Sequence, residues 1–247
     1  MKNEQAFEQY TLFDMQTETN KYINQHKSLV LSKQNLKINS AKILRLAMMQ
    51  VEETDKELKP YYISIKELSE LFDISPNNLY RDIRDITKEI GQNPFSIEVE
   101  DEDGVKMWQD LYLISVCQFS EKYGLIIKLN DALKPYLLNL KGDATKYLGS
   151  EILTMRSTYA IRIYEILMEK INGKFISDEG INLEFSVDYL RTLLNCTDKL
   201  TTFYNFRSRV IDMAINEINE KTPYKLDYSY KKLGKVVNLI IFNIKRK

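Results

Sequence analysis

The sequence is poor in the residue types from which metal sites and disulfide frameworks are built. Its 247 residues include one histidine, His26, and two cysteines, Cys117 and Cys196, which lie far apart without a CxxC partner. These counts exclude a disulfide framework, a CxxC zinc site and the histidine pair with which some DNA-nicking nucleases bind metal. We therefore expect no bound metal, and we expect both cysteines to be small buried apolar residues.

Long apolar runs and phosphate-binding glycine loops are also missing. No segment approaches the roughly 18 apolar residues of a membrane span, and the first 20 residues are polar, unlike a secretory signal. A GxxxxGK[ST] loop is absent, because Gly173-Lys174 and Gly234-Lys235 lack both the spacing and the hydroxyl residue. The sequence therefore predicts a cytoplasmic protein with no membrane contact and no cofactor, which is not an enzyme.

The whole chain lacks an excess of either charge, with 35 basic and 35 acidic residues. The two halves nevertheless differ. Residues 1–141 contain 18 Lys and Arg against 22 Asp and Glu, a net charge of −4, whereas residues 142–247 contain 17 against 13, a net charge of +4. This asymmetry predicts that the C-terminal half contacts a polyanion and that the N-terminal half contacts something else. Random scatter of surface charge is the alternative.

Hydrophobic periodicity predicts the same order of elements twice. The first half contains a helix from Asn39, a strand at Tyr61–Ser64, a helix over residues 65–74, a helix opened by Ser75-Pro76, and strands over residues 95–99, 107–120 and 124–130. The second half contains a linker at residues 140–146, one helix over residues 150–171, a strand at residues 183–185, helices over residues 187–196 and 202–220, and a hairpin turning at Gly234. Helix, strand, two helices and a β-hairpin are the elements of a winged helix.

The two halves also repeat each other in sequence. The apolar pattern from Ser64 to Ile74 aligns with that from Ser186 to Cys196, and both following helices lead to a proline, Pro94 or Pro223. A period this long indicates a duplicated domain. The sequence therefore predicts an α+β fold of two tandem winged-helix domains related by internal duplication, with a flexible arm at residues 1–24, a first domain at 25–140 and a second at 141–247.

In a winged helix, the second helix of the helix-turn-helix enters the major groove. In the second half, the core face of this helix is predicted to hold Phe203, Phe206, Val210, Ala214 and Ile218. The outward face and the hairpin tip then supply candidate DNA-binding residues that suit bases or phosphates, namely Thr201, Thr202, Asn205, Arg207, Ser208, Arg209, Lys231, Lys232 and Lys235. An ordinary solvated helix face and a lysine-rich turn are the alternative.

The first half offers a weaker set of DNA-binding candidates. Its second helix places Asn77, Arg81, Arg84 and Lys88 opposite an apolar stripe, but Asp82 and Asp85 lie among them. The hairpin that follows carries the acidic run Glu98–Gly104, which phosphate would repel. Contact with DNA and contact with protein therefore both remain open for this half.

Two runs of sequence resemble a known family. Arg156–Leu167, which reads RSTYAIRIYEIL, and Phe206–Ile244, which contains a basic cluster, an EIN-x-x-T-P turn and a wing, are similar to the iteron-binding replication initiators of theta-replicating plasmids. The similarity extends from about Asn24 to the C-terminus. It implies tandem winged-helix domains, in which both second helices bind direct repeats at a bacterial plasmid origin.

The resemblance implies further properties. Arg207 and Arg209 match the family's basic cluster, whereas Ser208 stands where another basic residue is common. The first domain is expected to carry a dimer interface, in a monomer–dimer equilibrium, and dimers are expected to repress the protein's own promoter. Origin opening and recruitment of the host helicase and the host initiator protein are expected as well. A winged-helix transcriptional repressor without initiation activity is the main rival, and a protein adaptor that has lost DNA binding is a more distant one.

Overall fold

The structure is a computed structural model that describes residues 22–72, 79–140 and 142–247. Most of the predicted arm, the predicted helix start at Ser75-Pro76 and the candidate residue Asn77 lie outside these ranges.

The first half alternates short helices with hairpins. In chain order, its elements are β1 (Tyr22–His26), α1 (Lys27–Val30), α2 (Ile38–Met48), β2 (Pro60–Ile63), α3 (Ile65–Phe72), α4 (Leu79–Gln92), β3 (Phe95–Glu100), β4 (Lys106–Leu111), β5 (Ile114–Ser120), β6 (Gly124–Leu129), a 3-10 turn (Asp131–Leu133) and α5 (Lys134–Leu137). The predicted order of helix, strand, two helices and a β-hairpin is confirmed by α2, β2, α3, α4 and β3–β4.

Helix α3 begins at a capping box. The Ser64 hydroxyl accepts the N–H of Glu67 at 3.2 Å, and the Glu67 carboxylate accepts the N–H of Ser64 at 2.8 Å. These bonds satisfy backbone donors that a helix start leaves free. Helix α4 then buries Leu79, Ile83 and Ile90 completely. The predicted apolar stripe therefore packs this helix onto the core.

Strands β2 to β6 of the first half form two separate antiparallel groups. Strands β2, β6 and β5 form one sheet, in that order, and β3 pairs with β4. The prediction of one strand over residues 107–120 is therefore wrong, because the chain changes pairing partner between β4 and β5, where buried Leu113 interrupts the strand. Gly124 opens β6 directly after the turn from β5: its φ is 111°, and a Cβ there would lie 2.4 Å from the carbonyl oxygen of Ile63.

The second half ends in a long hairpin. Its elements are β7 (Ala144–Leu148), α6 (Gly149–Leu153), α7 (Thr158–Ile171), β8 (Ile181–Ser186), α8 (Val187–Leu193), α9 (Phe203–Phe206), a π-helical turn (Arg207–Ile211), α10 (Asp212–Lys221), β9 (Tyr224–Leu233) and β10 (Val236–Arg246). Strands β8, β10 and β9 form an antiparallel sheet in that order.

Two predictions for the start of the second half are wrong. The segment predicted as a linker contains β7, which pairs antiparallel with β1, so that Tyr22 lies opposite Leu148. The single helix predicted over residues 150–171 is two helices. Helix α7 begins anew because the Ser157 hydroxyl accepts the N–H groups of Tyr159 and Ala160, which satisfies donors at its first turn.

A buried ionic cluster joins α2 of the first half to α7 of the second. Arg45 donates to both carboxylate oxygens of Glu165, at 3.0 and 2.9 Å, and Arg162 donates to the second oxygen at 2.9 Å. The Tyr147 hydroxyl donates to the first oxygen at 2.6 Å. Arg162 also donates to the carbonyl oxygens of Val30 and Ser32. This cluster ties four segments of the chain together at one point.

Candidate nucleic-acid interface

Helix α9, the π-helical turn and α10 follow one another without a break, and we call residues 203–221 the reading helix. Thr202 caps its start by accepting the N–H of Asn205 at 3.3 Å. The predicted core face is confirmed for Phe206, Val210, Ala214 and Ile218, each with no exposed surface. Phe203, also predicted for that face, is half-buried and packs at the edge of the core.

The π-helical turn coincides with the basic cluster of the reading helix. A π-helical turn holds one residue more than an α-helical turn, so the residues after it are rotated relative to a regular helix. Val210 and Ile211 are both fully buried, Arg209 is exposed, and Arg207 and Ser208 are half-buried. Arg209 therefore faces outward as predicted, whereas Ser208 does so only in part.

Arg207 is positioned by Asp212 and Tyr204, and Tyr228 in turn orients Asp212. Its Nε lies 3.6 Å from an Asp212 carboxylate oxygen, and its guanidinium stacks on the Tyr204 ring at 5.7 Å. The Tyr228 hydroxyl donates to the other Asp212 oxygen at 2.7 Å. Burial and Asp212 both raise the pKa of Tyr228, which therefore stays a neutral donor. By contrast, the Arg209 side chain has no ionic partner within the described residues.

Sequence reasoning missed two aromatic residues at this surface. Tyr204 is 68% exposed on the reading helix, and Tyr230 is 42% exposed on β9 with its ring 5.4 Å from that of Phe203. Aromatic rings can stack on Arg and shield it from water. The signal was present in the sequence, since Tyr204 precedes Asn205 directly and cannot share the core face with Phe206.

The wing is the hairpin of β9 and β10, which turns at Gly234 with a φ of 62°. The predicted phosphate-binding residues Lys231, Lys232 and Lys235 are exposed on it. Nζ of Lys231 lies 3.2 Å from a carboxylate oxygen of Glu184 in β8, so the charge of Lys231 is already partly paired. The tip also carries Leu233 and Val236, which are 75% and 69% exposed and which the sequence analysis did not predict.

In the first half, Arg81, Arg84 and Lys88 lie on the exposed face of α4. Arg81 donates to Asp82 at 3.1 Å, and Asp85 is exposed between the basic residues. The carboxylates therefore offset much of the positive potential of this face. The predicted acidic hairpin is β3–β4.

The two cysteines differ in burial. Cys196 is buried as predicted, whereas Cys117 is half-buried, and burial raises the pKa of both thiols. Over the described ranges, no three His, Cys, Asp or Glu side chains are arranged to hold a metal ion. None of the helices described in those ranges has the length and apolarity that a membrane crossing requires.

Comparison with known proteins decides the family. Residues 22–168 match the sequence model described as initiator replication protein, WH1, and residues 186–244 match that of initiator Rep protein, WH2. The chain belongs to the initiator replication protein family. The resemblance noted from Arg156–Leu167 and Phe206–Ile244 is thereby confirmed.

Two further proteins resemble this initiator along most of its length. An uncharacterized 27.6 kDa protein of Escherichia coli is 22% identical over 232 residues, covering 89% of this chain and 93% of that protein. The crystal structure of the Pi initiator protein in complex with iteron DNA has a TM-score of 0.73 at 20% identity, covering 93% of this chain and 99% of that chain. This similarity concerns the fold, and the predicted pair of tandem winged-helix domains is confirmed.

Proposed function

We propose that this initiator binds directly repeated sequences, or iterons, at a bacterial plasmid origin through two recognition helices. One observation carries the proposal: exposed Arg209 lies beside Asn205 and a positioned Arg207 on a helix whose opposite face is fully buried. The similarity to a protein crystallised with iteron DNA supports direct repeats as the ligand.

In this proposal, the second domain, residues 141–247, reads most of the sequence. Arg suits guanine and Asn suits adenine, so Arg209 and Asn205 are the proposed base-reading groups. Thr201, Thr202, Arg207, Ser208 and the wing lysines contact phosphates. The first domain, residues 25–140, adds weaker contacts through α4. These contacts lie one helical turn of DNA, ~34 Å, from those of the reading helix.

We also propose that the first domain associates with a second copy of the chain. Its β3–β4 hairpin and the segment after it expose Met107, Trp108 and Tyr112, which are 47%, 74% and 56% exposed. Tryptophan is enriched at protein–protein interfaces, so Trp108 is the residue on which this part of the proposal depends most. Opening of the origin, recruitment of the host helicase and host initiator protein, and repression of the protein's own promoter complete the proposed function.

Binding to labelled duplex tests the DNA-reading step. We expect fluorescence anisotropy to give an affinity for origin repeats on the order of 10³-fold above that for scrambled duplex, falling steeply with salt. Arg209→Ala should lower the affinity for the repeats by about 5- to 150-fold and have little effect on scrambled duplex, because a bidentate base contact is worth about 1–3 kcal/mol.

Lys174→Ala is the matched control, because it removes one positive charge from a loop outside the reading helix and the wing. Equal weak binding to both duplexes would overturn the proposal and favour the protein adaptor. A second measurement distinguishes an initiator from a repressor. A test plasmid that carries the repeats should replicate only when this protein is supplied, whereas a repressor would not support its replication.

A further inference from the structure

The first two turns of the reading helix expose an aromatic side chain beside the proposed guanine reader. Across residues 203–211, only Tyr204 and Arg209 are exposed, and the other side chains are buried or half-buried. Tyr204 is 68% exposed. Asn205, the proposed adenine reader, is half-buried. Tyr204 is therefore one of the two groups that this part of the helix offers most fully to a ligand.

Helical geometry places Tyr204 on the side of the reading helix that faces away from the core. Phe203 and Phe206 pack against the core and mark the opposite side. Successive residues of an α-helix are about 100° apart, so Tyr204 and Asn205 each lie about 50° from the direction opposite those two phenylalanines. Tyr204 is also the second residue of α9. The N-terminal residues of a recognition helix contact base edges, so Tyr204 lies where contacts with bases are expected.

Contacts within the second half restrict the motion of the Tyr204 ring. The Arg207 guanidinium lies 5.7 Å from the ring centroid, and Arg207 is itself positioned by Asp212. Asp212 in turn accepts a hydrogen bond from the Tyr228 hydroxyl. A side chain that is ordered before binding loses less conformational entropy when it meets its ligand. The ring is therefore both exposed and held in place, as a recognition group requires.

The major groove of DNA offers such a ring an apolar partner. Base edges there present hydrogen-bond donors and acceptors, whereas thymine also presents its C5 methyl group. We propose, on the basis of the function proposed above, that Tyr204 recognises a thymine in each repeat through this methyl group. The contact removes apolar surface of both the ring and the methyl group from water. Tyr204 thereby adds a thymine preference to the guanine and adenine preferences of Arg209 and Asn205.

A scan in which each thymine of the repeat duplex is replaced in turn by deoxyuridine tests this contact, because the replacement removes only the methyl group. We expect anisotropy to show a position at which the wild type binds about 4-fold more weakly, since burial of one CH₂ group is worth about 0.8 kcal/mol. Tyr204→Ala should bind the unmodified duplex more weakly and show no further loss at that position. Tyr204→Phe keeps the ring and should keep the loss. Phe175→Ala, which removes an exposed ring from a loop outside the reading helix, should keep it too.

The scan also separates a direct contact from an effect through Arg207. If Tyr204 only supports Arg207, Tyr204→Ala weakens binding but loses the same further affinity as the wild type at every sensitive thymine, which would overturn the thymine contact. Indifference of the wild type to all replacements would overturn it as well. Equal binding of repeat and scrambled duplex would overturn the proposed function itself, and the thymine contact with it. That outcome is visible before any thymine is replaced, so the two failures are distinguishable.

Discussion

At the scale of single residues, Glu165 is the group on which the buried contact between the halves depends most. It accepts hydrogen bonds from Arg45, Arg162 and Tyr147 and has no exposed surface. We expect Glu165→Gln to lower the free energy of unfolding by about 3–5 kcal/mol, because it leaves two buried guanidinium groups without a counter-charge. Urea unfolding measures this. Glu70→Gln, at an exposed pair with Lys66, should change little, and a similar small loss for Glu165→Gln would contradict the prediction.

Glu165 also predicts how stability depends on pH. Burial alone would raise its pKa, but Arg45 and Arg162 outweigh burial and hold the pKa at about 2, below the ordinary value of 4.5. A carboxyl with a lowered pKa stabilises the folded state above its ordinary pKa and loses that contribution as the pH falls toward the folded pKa. We expect the wild type to lose stability between pH 5 and pH 3 more steeply than Glu165→Gln, in urea titrations at each pH. Parallel curves would contradict this.

At the scale of elements, substitutions in the wing and in the reading helix should affect DNA binding differently. We expect replacement of Lys231, Lys232 and Lys235 by Ala to weaken binding to repeat and scrambled duplex alike, because phosphate contacts carry no sequence information. The slope of log affinity against log salt should become shallower by up to about 3, at roughly 0.9 per phosphate contact. Anisotropy across a salt series measures both effects.

Replacement of the same three lysines by Arg is the matched control, because it retains the charge and should retain the slope. An unchanged slope in the Ala variant would show that the wing lies off the DNA. The exposed Leu233 and Val236 at the tip would then favour a protein contact for the wing.

At the scale of the whole molecule, the strongly exposed Trp108 of the first half predicts self-association. We expect Trp108→Lys to shift the monomer–dimer equilibrium toward monomer by at least about 10-fold, since placing a charge in an apolar contact costs more than the lost area alone. Sedimentation velocity over a range of concentrations measures the equilibrium. Phe175→Lys is the control, because Phe175 is 89% exposed on a loop of the second half. An equal shift in both variants would contradict an interface at Trp108.

The sequence could predict those parts of the molecule in which local pattern and tertiary contact agree. Phe206, Val210, Ala214 and Ile218 recur at helical spacing, so their common face is visible without coordinates. The sequence does not predict the π-helical turn, because the pattern of polar and apolar residues does not reveal where one turn of a helix holds an extra residue. The pairing of β1 with β7 was missed because a short strand near the predicted arm and another within a polar linker give little signal alone.

The sequence by itself determined the duplicated winged-helix order, the basic second half and the residues that the reading helix can offer to DNA, because these depend on residue types and spacings along a single element. Only the tertiary structure decided that Arg207 is positioned by Asp212, while Arg209 has no ionic partner in the part of the chain that the structure describes. It alone brought Arg45 to Glu165, from 120 residues away. The physical reason is that burial, charge balance and hydrogen-bond partners arise between elements, and the spacing within one element carries no record of them.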